Sequence, residues 1–302
     1  MKRAPLLPLV LAGLLATGCS GFLFSSVRPV ANRITHPRRD DARLAVLWVG
    51  HATMLVQMDD RFILTDPLLQ DSVGQVTRRL QQPGIDPVDL PPLDAVVVSH
   101  MHFDHLSLGS LDLIEPKVRR LFVPQGGLVY VPNYAFEARE LPTWESFDDR
   151  GLRITAVPVK HVGFRYGIDA SWMTASFTGY VFEYHGMTVY FSGDTAYDAA
   201  RFKATAGRFP VIDLALLPIA PIHPRSFMEA THVDPAESVQ AFLDLGARVM
   251  VPMHYDTLVN GFDAPGEPRA TLERVMKERG LGPDRVHALA IGEQAVIVPG
   301  SP

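Results

Sequence analysis

From Leu44 onward, apolar residues fall in short runs broken by turn-forming residues. Leu44–Val49, Thr53–Met58 and Phe62–Thr65 are β-rich and separated by breaks such as Asp59-Asp60-Arg61, a pattern that predicts strands. Asp94–Ser99 is a continuous apolar run, which predicts a strand buried on both faces. Arg153–Lys160, Asp213–Ile219, Arg248–Met253, Val286–Ala290 and Ala295–Val298 read as further strands, and Phe177–Tyr184 and Met187–Ser192 as a hairpin about His185-Gly186. Helices are fewer. Asp234-Pro235-Ala236-Glu237 forms an N-terminal capping box, Val239, Phe242 and Leu243 give an apolar stripe, and Gly246 ends it. Thr271–Arg279, closed by Gly280, repeats that logic with Leu272, Val275 and Met276. Two sheets between helices, in one domain spanning 42–300, follow from this order.

The first forty residues differ. Met1-Lys2-Arg3, an apolar run from Leu6 to Ala16, and Thr17-Gly18-Cys19-Ser20 describe a secretory signal. The run falls short of the roughly 20 residues that a membrane-spanning helix needs. Ala16-Thr17-Gly18-Cys19 resembles a bacterial lipobox, which implies a signal peptide over 1–18 and lipid attachment at Cys19. Ser20 in place of aspartate then implies outer-membrane sorting, with the protein held in the bacterial cell envelope and facing the periplasm. Residues 19–41 read as a tether of Gly, Ser, Pro and charge.

The 302 residues are 47% hydrophobic and 20% charged, with a net charge of −5 and a sequence pI near 6.1. That argues for a sizeable core and against a nucleic-acid partner. Cys19 is the single cysteine, so no disulfide is available.

The chemistry concentrates in His100-Met101-His102-Phe103-Asp104-His105, directly after a buried strand. Strand ends are where α/β proteins place their sites. Three imidazoles and a carboxylate within six residues are ligands suited to zinc. His100 and His102, two apart, point the same way in extended chain and can share one metal, while Asp104 and His105 can face a second. His161, Asp194 and His254 each stand just past another expected strand, and Gly193 lets the chain turn sharply before Asp194. His51 and Asp66, at early strand exits, are placed to orient ligands by hydrogen bonding. His232, ahead of the capped helix, is placed to meet a substrate anion.

The sequence resembles the metallo-β-lactamase superfamily and, within it, the branch of N-acyl-phosphatidylethanolamine-hydrolysing phospholipase D. The likeness runs from about residue 44 to 280 through Trp48-Val49-Gly50-His51-Ala52-Thr53, Leu64-Thr65-Asp66-Pro67, Ser99-His100 to Leu106, Gly193-Asp194-Thr195, Leu216-Leu217-Pro218-Ile219, Phe227-Met228, His232-Val233-Asp234-Pro235 and His254. It implies an α/β four-layer αββα sandwich. It also implies two divalent ions, zinc first, with manganese or iron also suited. By the resemblance His100, His102 and His161 hold one ion, Asp104, His105 and His254 the other, and Asp194 bridges them. The chain departs from the branch at Tyr255-Asp256, where tryptophan-glycine is usual. It departs again at Val162-Gly163-Phe164-Arg165, where a tryptophan-containing stretch is expected, and at Phe103, where tyrosine is frequent. No candidate ligand is lost.

The expected mechanism is hydrolysis by a metal-bridging hydroxide, with Asp104 orienting it as well as ligating and His232 assisting. A phosphodiesterase acting on phospholipid at the membrane is the leading expectation. A lactonase or other carboxyl-ester hydrolase, and a non-enzymatic metal-binding envelope lipoprotein, are the alternatives. Oligomeric state is not legible.

Overall fold

A computed structural model describes residues 26–74 and 77–300. The expected signal peptide and Cys19 lie outside the described residues. Among those described, no helix is long and apolar enough to cross a membrane.

In chain order the strands are β1 Ala42–Gly50, β2 Thr53–Met58, β3 Arg61–Thr65, β4 Ser72–Val73, β5 Thr77–Arg78, β6 Ala95–Val97, β7 Arg120–Val123, β8 Glu137–Glu140, β9 Ser146–Asp149, β10 Leu152–Val157, β11 Gly179–Tyr184, β12 Met187–Phe191, β13 Leu214–Pro218, β14 Val249–Met253 and β15 Gln294–Pro299. The helices are α1 Leu108–Ile114, α2 Ala199–Arg208, α3 Arg225–Met228, α4 Pro235–Leu245 and α5 Glu267–Arg279. One sheet runs β15-β1-β2-β3-β6-β7-β8, the other β14-β13-β12-β11-β10-β9, and β4-β5 form a small ribbon.

Strand alternation assigns the layers. In β1, Leu44, Val46 and Trp48 face the core between the sheets, while Leu47 and Val49 face a second core with Leu111 and Ile114 of α1. Met54 and Val56 against Leu55 in β2, and Ala95 and Val97 against Val96 in β6, repeat the split. On the far side Phe202, Val239, Phe242, Leu272 and Val275 of α2, α4 and α5 close the second sheet. The fold is therefore helix, sheet, sheet, helices: the αββα sandwich. The sheets also touch at one edge, where Phe177, just before β11, bridges His100, just after β6.

Several elements differ from the sequence reading. Arg153–Lys160 ends early, at Val157, because Pro158 has no N–H to continue the ladder. Val286–Ala290 is not a strand: Val286 alone bridges Met250, and a tight turn from Leu289 N–H to His287 O takes the chain away. α5 starts at Glu267, four residues before Thr271, with Pro268 in its first turn where a missing N–H costs nothing. The expected tether is fixed from Arg28: Arg28 bridges Gln81 and Ile34 bridges Ile85, Val30 packs on the main core, and the Gln57 side chain bonds both N and O of Arg39.

Candidate metal centre

Six strand ends converge on one place. His51 follows β1, Asp66 follows β3, His100 to His105 follow β6, His161 follows β10, Asp194 follows β12 and His254 follows β14. The turn into Asp194 requires Gly193, whose φ is +58° and whose added Cβ would lie 2.2 Å from Cβ of Ser99. Three non-glycine residues here also adopt positive φ: His51 (55°), Asp66 (34°) and His254 (68°). Such backbone is costly and persists where the surroundings enforce it.

The side chains form three overlapping donor groups: His100, His102 and His161; His51, Asp104, His105 and His254; and His100, His105 and Asp194. Within each group the donor atoms lie within 4.8 Å of one another. Nε2 of His100 is 2.8 Å from Nδ1 of His102, and Nε2 of His105 is 3.3 Å from Nε2 of His254. Asp194 stands between the groups, with Oδ2 3.3 Å from Nε2 of His105 and Oδ1 3.0 Å from Nε2 of His254. All seven residues expected to ligate are thus brought together. His51, expected only to orient, stands within ligand reach as well.

The rear of each ring is held. Nδ1 of His105 donates to Oδ2 of Asp66 at 2.6 Å, and Asp66 also accepts from the N–H and Oγ of Ser99, both at 2.6 Å. Nδ1 of His161 donates to the carbonyl of Thr231 at 2.9 Å and Nδ1 of His254 to that of Ala220 at 3.0 Å. Ser99 Oγ lies 3.0 Å from Nδ1 of His100. These bonds fix each tautomer so that the opposite nitrogen faces inward, the arrangement metal-ligating histidines use.

The residues fit divalent metal on two counts. Imidazole nitrogens and carboxylate oxygens are the donor set of zinc and its neighbours. Moreover, Nε2 of His161, Oδ1 of Asp194 and Nδ1 of His232 are buried without a hydrogen-bond partner. Orphaned buried polar atoms are rare; three in one cluster mark a place that a cation and its ligands complete.

Charge is arranged to match. Burial drives the pKa of His161 and His51 down to about 3, with His254 adding to the effect on His51. Burial likewise takes His100 well below 6.5, lowers His102, and brings His232 to about 4. Burial opposes charge on His105 too, but Asp194, Asp104 and Asp66 outweigh it and hold its pKa well above 6.5. Asp104 and Asp194 resist burial in the same way: His105 and His51 lower the first, His254 and His105 the second. His232 sits beside Asp194, Nδ1 to Oδ2 at 3.6 Å, outside the three donor groups.

Sequence reasoning missed the supports. Thr257 accepts the N–H of His51 at 2.7 Å, and the His51 carbonyl accepts Trp48 Nε1 at 2.9 Å and His254 N–H at 3.0 Å. Ser99 was legible as a strand end, but not as a hub. The departures are absorbed locally. Tyr255 stacks on Trp48 at 4.4 Å, Asp256 holds φ at +49° where the branch has glycine, and Phe103 lies beneath the Arg165 guanidinium at 4.2 Å.

A Beta-lactamase superfamily domain matches residues 61–255. The N-acyl-phosphatidylethanolamine-hydrolyzing phospholipase D 1 of Caenorhabditis elegans is 31% identical over 275 residues, covering 85% of this chain and 76% of its own length. A metal-dependent hydrolase of Rubrobacter xylanophilus is 30% identical over 262 residues, covering 82% and 95% respectively. Among solved structures, an isothiocyanate hydrolase from Delia radicum gut bacteria superposes with a TM-score of 0.65 at 19% identity, covering 84% of this chain and 99% of that one. That likeness bears on the fold.

Proposed function

The chain belongs to the metallo-β-lactamase superfamily and is a metal-dependent hydrolase, and from that premise we propose that it is a phosphodiesterase of the N-acyl-phosphatidylethanolamine-hydrolysing type. The observation that carries the choice of ester is His232. It is an imidazole beyond the seven expected ligands, half-buried beside Asp194, with its buried Nδ1 unpartnered. Such a group suits contact with a phosphoryl oxygen or with the departing alcohol. The nematode relative, named for cleaving a phospholipid, supports the same reading.

Two divalent ions held by His100, His102, His161, Asp104, His105, His254 and Asp194 would supply an activated water and a Lewis acid for the ester oxygen. The protein's part is preorganisation. Asp66, Thr231 O and Ala220 O point three imidazoles inward, and His51 holds Asp104. His232, whose pKa burial lowers to about 4, is placed to donate a hydrogen bond from its neutral ring to an ester oxygen. Cys19, in its lipobox, supports an envelope location facing phospholipid, and Cys19→Ala should move the protein from the membrane to the soluble fraction.

The test is hydrolysis by the full-length, zinc-loaded protein. It is offered a generic aryl phosphodiester, N-acyl-phosphatidylethanolamine in vesicles, and a lactone panel. Turnover of phosphodiesters, lost in His102→Ala and reduced in His232→Ala, is the expected result. Turnover of lactones alone would replace this reading with the carboxyl-ester one. No turnover of either class at full metal occupancy would favour a binding protein.

A further inference from the structure

Arg79 directly follows β5 and is wholly buried. Among the described residues it makes no ion pair; the one carboxylate acting on it, Asp71, does so at a distance and does not outweigh burial, which lowers its pKa to about 10. Its partners are main-chain carbonyls instead. Nε donates to Gln81 O at 2.9 Å, Nη1 donates to Leu68 O, and Nη2 reaches Val49 O at 3.5 Å. A planar fork with diverging N–H groups serves three separate carbonyls from one place, which the single nitrogen of a lysine does not.

Two of those carbonyls belong to strand exits that carry the metal cluster. Val49 stands two residues before His51, and Leu68 two residues after Asp66. Oγ1 of Thr53 donates to Asp66 O at 2.7 Å and accepts the Leu68 N–H at 2.9 Å, which couples Leu68 to Asp66. The two residues after Arg79 tie the third exit. Leu80 N–H donates to Thr257 O at 2.8 Å, and Gln81 Nε2 donates to Asp256 O, two residues past His254, at 3.2 Å. His51, Asp66 and His254 are the three site residues held at positive φ. Backbone of that kind persists only where its surroundings over-determine it, and Arg79 with its two successors fastens all three exits. Gly50, with φ +125°, makes room: a Cβ there would run into Nη2 of Arg79.

We infer that Arg79 is a positioning residue of the metal centre, locking three strand exits so that His51, Asp104, His105 and His254 close on one ion. Every member of that donor group depends on an exit that Arg79 and its successors hold. His51 and His254 stand on such exits themselves, His51 holds Asp104, and Asp66 holds His105 from behind. His100, His102 and His161 follow β6 and β10 instead, so the lock bears on one half of the centre. The inference rests on the two-ion centre proposed above.

The experiment measures zinc binding by the full-length protein, without any assay of activity. Competition with a graded chelator resolves the two zinc affinities. His161→Ala, which removes a donor from the His100, His102 and His161 group alone, assigns them. Arg79→Ala should weaken the ion held with His254 by about tenfold to a hundredfold and leave the other unchanged. Guanidinium chloride, far below the concentrations that unfold the wild type, should restore part of the loss by filling the vacated place, and sodium chloride at equal ionic strength should not. Arg79→Lys keeps the charge but not the fork, so it should behave like Arg79→Ala. Equal weakening of both ions would mark a merely structural tie and overturn the inference, as would unchanged binding. If Arg79→Ala does not fold, Arg79→Lys is read by the same criteria, and failure of both to fold also counts against the inference. Uptake of a single zinc by the wild type would refute the two-ion reading instead. Arg79 is then judged on that ion: weaker binding in Arg79→Ala supports its role, and indifference sinks it.

Discussion

Nε2 of His51 donates to Oδ2 of Asp104 across 3.0 Å, and the His51 ring lies 3.9 Å, centroid to centroid, from that of His254. Since its carbonyl also accepts the His254 N–H, one residue sets the position of two candidate ligands of the same ion. His51→Ala is expected to weaken zinc binding at that half by about tenfold to a hundredfold. His51→Gln, which keeps an N–H donor, should restore part of it. Zinc per chain after dialysis against a graded chelator reads the effect without any assay of activity. Unchanged stoichiometry and affinity in His51→Ala would refute it.

Three carboxylates surround His105 and hold its pKa well above the usual histidine value in the metal-free protein, which favours the protonated ring. A metal ion takes the place of that proton. Zinc titration of the metal-free protein at pH 7 should therefore release about one proton per chain from His105. Calorimetry in buffers of different ionisation enthalpy measures that release, and His105→Gln should abolish it.

The depressed imidazoles dictate how the metal-free protein responds to acid. His161 and His51 fall to about 3 and His232 to about 4 in the fold, against about 6.5 when unfolded. Unfolding thus takes up protons between those values, so stability is present above pH 6.5 and drains away as pH falls toward 3. His105, with its pKa raised, works in the opposite sense and loses its contribution as pH rises. Five depressed histidines, including His100 and His102, outnumber it. The chelator-treated protein should melt at a lower temperature at pH 5 than at pH 7. An equal or higher Tm at pH 5 would contradict the arrangement.

Asp66 is wholly buried and accepts three hydrogen bonds, two from Ser99 and one from His105. Asp66→Ala leaves those donors unpaired in the interior. The expected cost is about 3 kcal/mol or more of folding stability, read by urea denaturation, with zinc affinity falling alongside it. Asp66→Asn keeps the shape and should lose less.

Where a residue type carries its own chemistry, the sequence was enough. His100, His102, Asp104, His105, His161, Asp194 and His254 stand out because imidazoles and carboxylates recur just past apolar runs, and the structure gathers them. The fold was legible where alternation was strong, as in β1, β2 and β6, or where a capping box announced a helix, as at Asp234. β8 and β9 were not read as strands because charged residues alternate with half-buried ones, leaving no apolar face to recognise. α2 was passed over although Asp198 caps it by accepting from the N–H groups of Ala200 and Arg201. Thr257 and Ser99 have no intrinsic signature. Each matters through a partner distant in the chain, which only the folded arrangement supplies.

Two of the imidazole supports are main-chain oxygens, those of Thr231 and Ala220, whereas His105 leans on the Asp66 side chain. Every amino acid carries a carbonyl, so replacing Thr231 or Ala220 erases a side chain and leaves the acceptor behind. A saturation mutagenesis screen would therefore flag Asp66 at once and pass over the other two supports as tolerant. The positions of His161 and His254 are encoded in loop length and backbone path, and a one-residue deletion between Ala220 and Thr231 should damage the centre more than most single replacements there.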